Sequence, residues 1–140
     1  MRNSMRILIA VSLGASMPAV ALAGPLEDGI AAYHQGDYAK ALRLFRIAAA
    51  KGDAEAQFNV GKMYQDARGV NRNYAEALHW YRLAVAQNNS DAQYRLGFMY
   101  ESGSGVTVDK IEALRLYRLS AAQGNDDGIN AVRRLTDPNW

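Results

Sequence analysis

The 140-residue sequence has no cysteine, which excludes both a disulfide framework and a metal site built from thiolates. It has only two histidines, His34 and His79, and neither has a second histidine three or four residues away. Because helical metal sites place their ligands at such spacings, we expect both to be surface or partly packed side chains. The sequence predicts no metal site and no cofactor.

The sequence also lacks a catalytic constellation. No nucleophile can be paired with a base from spacing alone, and neither a P-loop nor a GxGxxG motif is present. Ser102–Gly105 resembles a phosphate-binding loop only in isolation, because the chain carries a second version of it at Asp66–Gly69. We therefore expect the protein not to be an enzyme.

The chain has little net charge. It contains 16 basic and 14 acidic residues, and Arg2 and Arg6 lie in a segment that we expect to be removed, which leaves 14 of each sign. A balanced surface argues against nucleic acid or an anionic membrane as the main partner.

Met1–Ala23 has the three regions of a secretory signal peptide. Arg2 and Arg6 give a positive start, an apolar stretch follows, and Ala21-Leu22-Ala23 is a small-residue cleavage site. The alternative is an uncleaved membrane anchor, which needs about 20 apolar residues, and this stretch is shorter and interrupted. No cysteine follows it, so lipoprotein anchoring is excluded. We predict cleavage after Ala23 and a mature protein in the periplasm or secreted, with no membrane insertion.

The rest of the chain contains an internal repeat with an offset of 36 residues, which aligns Ala54–Asn89 with Ser90–Asn125 without a gap. A period of this length indicates stacked supersecondary units, whose surface more often binds a partner than forms a catalytic pocket. The matching positions are mostly small or aromatic: Ala56-Gln57-Phe58 with Ala92-Gln93-Tyr94, Val60-Gly61 with Leu96-Gly97, Met63-Tyr64 with Met99-Tyr100, Gly69-Val70 with Gly105-Val106, and Tyr81-Arg82-Leu83 with Tyr117-Arg118-Leu119.

Apolar spacing predicts two helices in each unit and one after the last, which makes an all-α, right-handed solenoid of stacked helix-turn-helix units. The units span about 26–53, 54–89 and 90–125 of a single domain, 24–140, and a capping helix falls within 126–137. The predicted helices are Leu26–Gln35, Tyr38–Lys51, Glu55–Asp66, Tyr74–Gln87, Asp91–Glu101, Lys110–Gln123 and Asp127–Thr136.

Local signals mark the ends of these helices. Asp37 and Asp109 are predicted to cap the helices that follow them. Gly69 and Gly105 are suited to left-handed turns, and we expect the valine after each to pack back under its hairpin.

The repeated residues carry a resemblance to a known family. Ala-Gln-(Phe/Tyr)-x-(Val/Leu)-Gly-x-Met-Tyr, then Gly-Val, then Ala-Leu-x-x-Tyr-Arg-Leu closely resembles the Sel-one-like repeat (SLR), a longer-looped relative of the tetratricopeptide repeat. Two full copies cover Ala54–Asn125, and the first unit, with its shorter loop, looks more like an ordinary tetratricopeptide unit. The chain departs at Leu116, where the family has Trp, and at Arg133, where the earlier copies have Gly61 and Gly97.

The resemblance implies that the first helix of each unit lines a concave side. Positions there that differ between copies are free to carry specificity. Asn59 corresponds to Arg95, and Lys62 to Phe98. We predict that these four residues bind a partner. Because the stack does not require Phe98, it is either an exposed anchor or a residue packed on a neighbouring helix.

Proteins similar to this serve as envelope scaffolds or periplasmic regulators, so the resemblance implies binding of a protein or peptide along the concave face. One alternative is β-lactam binding or hydrolysis, which cysteine-rich relatives suggest and which the absence of cysteine weakens. Another is the binding of cell-wall fragments by aromatic and arginine side chains. Self-association that extends the stack is a third.

Overall fold

The computed structural model describes residues 23–140, so the predicted signal peptide, apart from Ala23, lies outside the described residues. The regular structure described is helical throughout, which confirms the all-α prediction. We call α1, α3, α5 and α7 the A helices, and α2, α4 and α6 the B helices. The helices are α1 (Pro25–His34), α2 (Tyr38–Ala50), α3 (Ala54–Asp66), α4 (Tyr74–Ala86), α5 (Ser90–Ser102), α6 (Lys110–Ala122) and α7 (Asp126–Thr136).

Every helix after α1 starts at an aspartate or asparagine cap. The side-chain oxygen of each cap accepts a hydrogen bond from a backbone N–H in the first turn, which satisfies a donor that the helix itself cannot pair. The predicted caps Asp37 and Asp109 are confirmed. The full set is Asp37, Asp53, Asn73, Asn89, Asp109 and Asn125.

Each predicted helix bound either agrees with the observed one or differs from it by one residue. The start of α1 lies at Pro25, one residue before the prediction, and most of the other differences have two causes. The predicted starts of α3, α5 and α7 are late, because Asp53, Asn89 and Asn125 are caps and the helix begins directly after each. The predicted ends of α1, α2, α4 and α6 each lie one residue beyond the observed end, because the last predicted residue is the C-terminal cap. The end of α5 lies at Ser102, one residue beyond the prediction.

The A helices α1, α3 and α5 each pack against the B helix that follows through a buried glycine. A Cβ at Gly61 would lie 2.7 Å from two ring carbons of Tyr81, and one at Gly97 would lie 2.9 Å from the ring of Tyr117. Gly29 stands in the same relation to Phe45, at 2.7 Å. The helices α1–α2, α3–α4 and α5–α6 therefore form three hairpins with the same close contact, although the first has a shorter loop.

The long loops, between α3 and α4 and between α5 and α6, each pack on the hairpin that precedes their own. Gly69 and Gly105 have φ of +67° and +72°, which confirms the predicted left-handed turns. A Cβ at Gly69 would lie 2.7 Å from the Cβ of Tyr38, and one at Gly105 would lie 2.6 Å from the Cβ of Tyr74. Each loop thus lies on the start of the preceding B helix. The valines that follow pack partly buried against the core, as predicted.

The helix α7 packs on α6 and completes the described fold. Gly128 makes the close approach, since a Cβ there would lie 2.6 Å from the Oγ of Ser120. Arg133 occupies the position of Gly61 and Gly97 but is exposed, because no described B helix follows α7 to pack against it.

Candidate functional site

A groove of about 200 Å³ lies between the A helices α1 and α3. Two of the four predicted binding residues, Asn59 and Lys62, line it, and both are half-buried. The other lining residues are Ile30, Tyr33, His34, Phe45 and Glu55.

One polar group of this groove, the ammonium of Lys62, is positioned by a neighbouring aromatic ring. The Nζ atom of Lys62 lies 5.6 Å from the ring centroid of Tyr33, a cation–π contact that ties the two A helices together. The amide of Asn59, one turn earlier on α3, offers both a donor and an acceptor to a chain entering the groove.

Arg95 and Phe98 take the corresponding positions on α5. Phe98 is 42% exposed, so of the two alternatives left open by the sequence the structure has the exposed side chain. Arg95 is half-buried. Burial raises the pKa of Tyr81, and the positive charge of Arg95 opposes that rise. Neither Arg95 nor Phe98 lines the α1–α3 groove, so the structure groups Asn59 with Lys62 and places the other pair on the next A helix.

A set of interior polar contacts was not predicted. The hydroxyl of Tyr81 donates to Oε1 of Gln65 at 2.6 Å. At the same place in the third hairpin, the hydroxyl of Tyr117 donates to Oε2 of Glu101, also at 2.6 Å. The signal was in the sequence, because both tyrosines and both acceptors lie 36 residues apart. The first hairpin has Phe45 at this place, which carries no hydroxyl.

The carboxylate of Glu101 also accepts two hydrogen bonds from Arg134 of α7, at 2.6 and 2.8 Å. The Arg134 hydrogen bonds hold the pKa of Glu101 below its usual value, against the effect of partial burial. Burial, followed by the nearby Glu101, raises the pKa of Tyr117. A carboxylate held ionised in this way ties α5, α6 and α7 together and is unsuited to act as a general base near neutral pH.

Arginine–tyrosine pairs connect one hairpin to the next. Arg46 donates to the hydroxyl of Tyr64 and lies 5.5 Å from its ring centroid. The same pair recurs 36 residues later, where Arg82 donates to the hydroxyl of Tyr100 at 3.3 Å. These aromatic and basic side chains serve the packing of the array, which leaves fewer of them to stack on a sugar or a base.

Within residues 23–140 no cluster of three His, Asp or Glu side chains is placed to hold a metal ion. His34 lies at the end of α1 beside Tyr33, and His79 is exposed with its ring edge-on to Trp80. Glu112 and Arg115 form an exposed ion pair of 2.6 Å, three residues apart on α6.

Charge is segregated between the two kinds of helix. The A helices α1, α3 and α5 carry six acidic and two basic side chains, whereas the B helices carry two acidic and seven basic ones. The helix α7 is balanced, with two of each. The small net charge of the chain thus combines A helices with an excess of acidic side chains and B helices with an excess of basic ones.

The model of the Sel1 repeat matches residues 20–53, 54–89 and 90–125, which is most of the chain. The chain belongs to the Sel1 repeat family. This confirms the predicted resemblance for the second and third units and corrects it for the first, which matches the Sel1 repeat although its shorter loop made it look more like an ordinary tetratricopeptide unit. Sel1 repeat proteins generally mediate protein–protein interaction, and the fold is typical of non-enzymatic interaction scaffolds.

Solved structures of other Sel1 repeat proteins are similar to this one. A Sel1 repeat protein from Oxalobacter formigenes is 31% identical, with a TM-score of 0.76 over 79% of this chain and 46% of that one. The protective antigen c5321 of uropathogenic Escherichia coli, which displays an SLR fold, is 30% identical, with a TM-score of 0.76 over 83% of this chain and 26% of the antigen. The Sel1 repeat chain thus spans less than half the length of either protein.

A third structure, cysteine-rich protein B of Helicobacter pylori, is 20% identical, with a TM-score of 0.61 over 66% of this chain and 69% of that one. At this identity the likeness shows the fold alone. A search of curated protein sequences gave no significant match. Across residues 23–140, no helix has the length and apolar character needed to cross a membrane.

Proposed function

We propose that this Sel1 repeat protein is an exported, non-catalytic scaffold or regulator of the cell envelope. It binds a protein or peptide along the A face, which we define as the surface of α1, α3 and α5 that carries Asn59, Lys62, Arg95 and Phe98. The observation that carries the proposal is the placement of these four residues. They are A-helix positions at which the two aligned copies differ in charge or in apolar character, and all are half-buried or exposed.

The chemistry of the A face favours one kind of segment. The groove between α1 and α3 offers the Asn59 amide and the Lys62 ammonium for backbone carbonyls, and Phe98 offers an apolar surface for a side chain further along. The excess of acidic side chains on α1, α3 and α5 favours a partner with basic side chains around its apolar anchor.

Two steps test the binding. Cross-linking in the native envelope identifies the protein held by the wild-type chain. Binding of that protein is then measured with the triple variant Asn59→Ala/Arg95→Ala/Phe98→Ala, for which we expect the affinity to fall by roughly tenfold or more, since truncation of interface anchors has effects of this size. The proposal is wrong if the triple variant, folded as judged by circular dichroism, binds as tightly as the wild type.

A matched control variant tests whether the loss of binding is specific to the A face. Ile47 and Leu83 are exposed apolar residues on the B helices α2 and α4, with 44% and 39% exposure, similar to that of Phe98. The variant Ile47→Ala/Leu83→Ala removes comparable apolar surface from the opposite kind of helix. It should bind the partner as the wild type does, and an equal loss in this control would contradict placement of the site on the A face.

Export rests on the charged, apolar and small-residue regions of Met1–Ala23. Expression of the full chain with a C-terminal tag, followed by fractionation and N-terminal sequencing, tests it. We expect a periplasmic or secreted product that begins at Gly24. A product that retains Met1, in the cytoplasmic or the membrane fraction, would contradict export with cleavage.

A further inference from the structure

A larger groove, of about 670 Å³, lies on α6 and α7 at the C-terminal end of the array. It is separate from the α1–α3 groove. We call it the C-terminal groove. Its lining combines four apolar side chains with three basic ones: Ile111, Leu114, Leu119 and Leu135, and Lys110, Arg115 and Arg118.

The first two hairpins show what covers this place when the array continues. The loop at Gly105 lies against Tyr74 and Leu78 of α4, and Leu78 is only 5% exposed. Lys110 and Leu114 take the positions of Tyr74 and Leu78 on α6, where no described loop covers them, and Leu114 is half-buried. The C-terminal groove therefore lies at the position on α6 that corresponds to the loop contacts on α2 and α4.

The uncovered start of α6 also differs in its side chains from the covered starts of α2 and α4. Where α4 has Tyr74 and Ala75, α6 has Lys110 and Ile111, and α2 agrees with α4 in having tyrosine and alanine. The alanines are exposed as well, but Ile111 is a large apolar side chain that is 85% exposed. Packing of the hairpins does not need a lysine–isoleucine pair here. The pair is complementary to a partner with apolar and acidic groups.

Two features argue against a second copy of the chain as the occupant. Head-to-tail stacking of a second copy on α7 would need a helix to pack closely at Arg133, which replaces the glycine that allows this approach at Gly61 and Gly97. A symmetric dimer through the groove would bring Lys110 and Arg118 of both copies together, with unfavourable repulsion.

We propose that the C-terminal groove binds an acidic amphipathic segment of another protein. Its apolar side chains contact Ile111, Leu114 and Leu119, and its carboxylates pair with Lys110 and Arg118. Arg115 is already paired with Glu112 at 2.6 Å and serves the site less. The site is separate from the A face and opposite to it in charge preference, so each can fail without the other.

Isoleucine methyl labelling of the protein provides a direct test, because the isoleucines of α1, α2 and α6 report on different surfaces. Ile30 lines the α1–α3 groove, Ile47 is exposed on α2, and Ile111 lies in the C-terminal groove. The probe is a synthetic helical peptide of leucine and glutamate with its leucines on one face. We expect saturable shifts of the Ile111 methyl signal, with Ile30 and Ile47 unmoved.

The matched protein variant is Lys110→Tyr/Ile111→Ala, which restores the residues of the two earlier copies. We expect it to weaken peptide affinity by roughly tenfold, whereas Ile47→Ala leaves affinity unchanged. The proposal is overturned by equal binding of a peptide with lysine in place of glutamate, by unchanged affinity of the double variant, or by shifts centred on Ile30. It is also overturned if phosphatidylglycerol vesicles, or self-association of the protein, perturb Ile111 while the peptide does not.

Discussion

The second and third hairpins follow one plan and differ mainly where the plan does not constrain them. Gly61 and Gly97 make the same close contact with a tyrosine ring, and the buried methionines of α3 and α5 also coincide. On the surface, by contrast, Lys62 is replaced by Phe98, and Ala75 by Ile111. The comparison shows that packing accounts for much of what the copies share, and the binding surfaces that we propose lie at exposed or half-buried positions where the copies differ.

Interior positions differ as well, and at one of them the neighbouring residues explain the difference. Tyr81 donates to the neutral Gln65, whereas Tyr117 donates to Glu101. A carboxylate is tolerated in the third hairpin because Arg134 of α7 reaches it with two hydrogen bonds. Two versions of one contact, neutral and ionic, thus exist within the same molecule.

The largest effect is expected from Gly61→Ala. On an open helix face alanine would stabilise by about 1 kcal/mol relative to glycine. Here the added Cβ would lie 2.7 Å from the Tyr81 ring, so we expect a loss of about 1–3 kcal/mol in the free energy of unfolding, measured by urea denaturation. Gly97→Ala should behave alike. Asn59→Ala on the same helix is the control, and stabilisation by Gly61→Ala would contradict the close contact.

Removal of the tyrosine hydroxyl should destabilise the protein more in the second hairpin than in the third. Tyr81→Phe leaves the buried Gln65 oxygen without that donor, and we expect a loss of about 2 kcal/mol in the free energy of unfolding. Tyr117→Phe leaves Glu101 bonded to Arg134, so a loss of about 1 kcal/mol is expected. Chemical denaturation of both variants checks the order, and a larger loss for Tyr117→Phe would contradict it.

The contribution of the Glu101 contact to stability should depend on pH, whereas that of the Tyr81–Gln65 contact should not. The pKa of Glu101 is lowered in the folded protein, so its contribution is fully present above the unfolded value of about 4.5 and is lost as the pH falls through the lower folded pKa. We expect Glu101→Gln to lose about 1 kcal/mol of stability at pH 7 and to converge with the wild type in acid.

Gln65→Glu is the reciprocal change, since it places a carboxylate in the second hairpin without an arginine from α7. Denaturation curves at a series of pH values compare the three proteins. A constant difference between wild type and Glu101→Gln across the acid range would show that the Glu101 charge contributes nothing to folding.

The smallest effect is expected at the surface. Phe98→Lys and Ile111→Ala each give the third hairpin the residue of the second, and both positions are exposed. We expect each change to alter the free energy of unfolding by no more than about 0.5 kcal/mol, as judged by thermal and urea denaturation. A loss above about 1 kcal/mol at either position would mean that the side chain serves the stack.

Much of the fold could be predicted from the sequence, because the 36-residue offset repeats the residues that packing demands. The helix type and order followed from apolar spacing, and the turns at Gly69 and Gly105 from their glycines. The missed residues were caps such as Asp53 and Asn89, since an aspartate or asparagine before a helix is read as a cap only once the start is known.

The site was less accessible to sequence reasoning. Comparison of the copies located Asn59, Lys62, Arg95 and Phe98, but the groove that joins the first two depends on Tyr33, from a hairpin that lies outside the aligned pair. The C-terminal groove was missed because Ile111 and Leu114 follow a normal helical pattern. Their exposure depends on what does not cover them, which spacing within one helix does not reveal.

The central claim is that the A-helix positions at which the copies differ carry the binding. The most direct measurement is the affinity of Arg95→Asn/Phe98→Lys, which makes these positions of α5 identical to those of α3, for the protein identified by cross-linking. We predict wild-type stability and an affinity reduced by roughly tenfold or more. Unchanged affinity in this folded variant would contradict the claim.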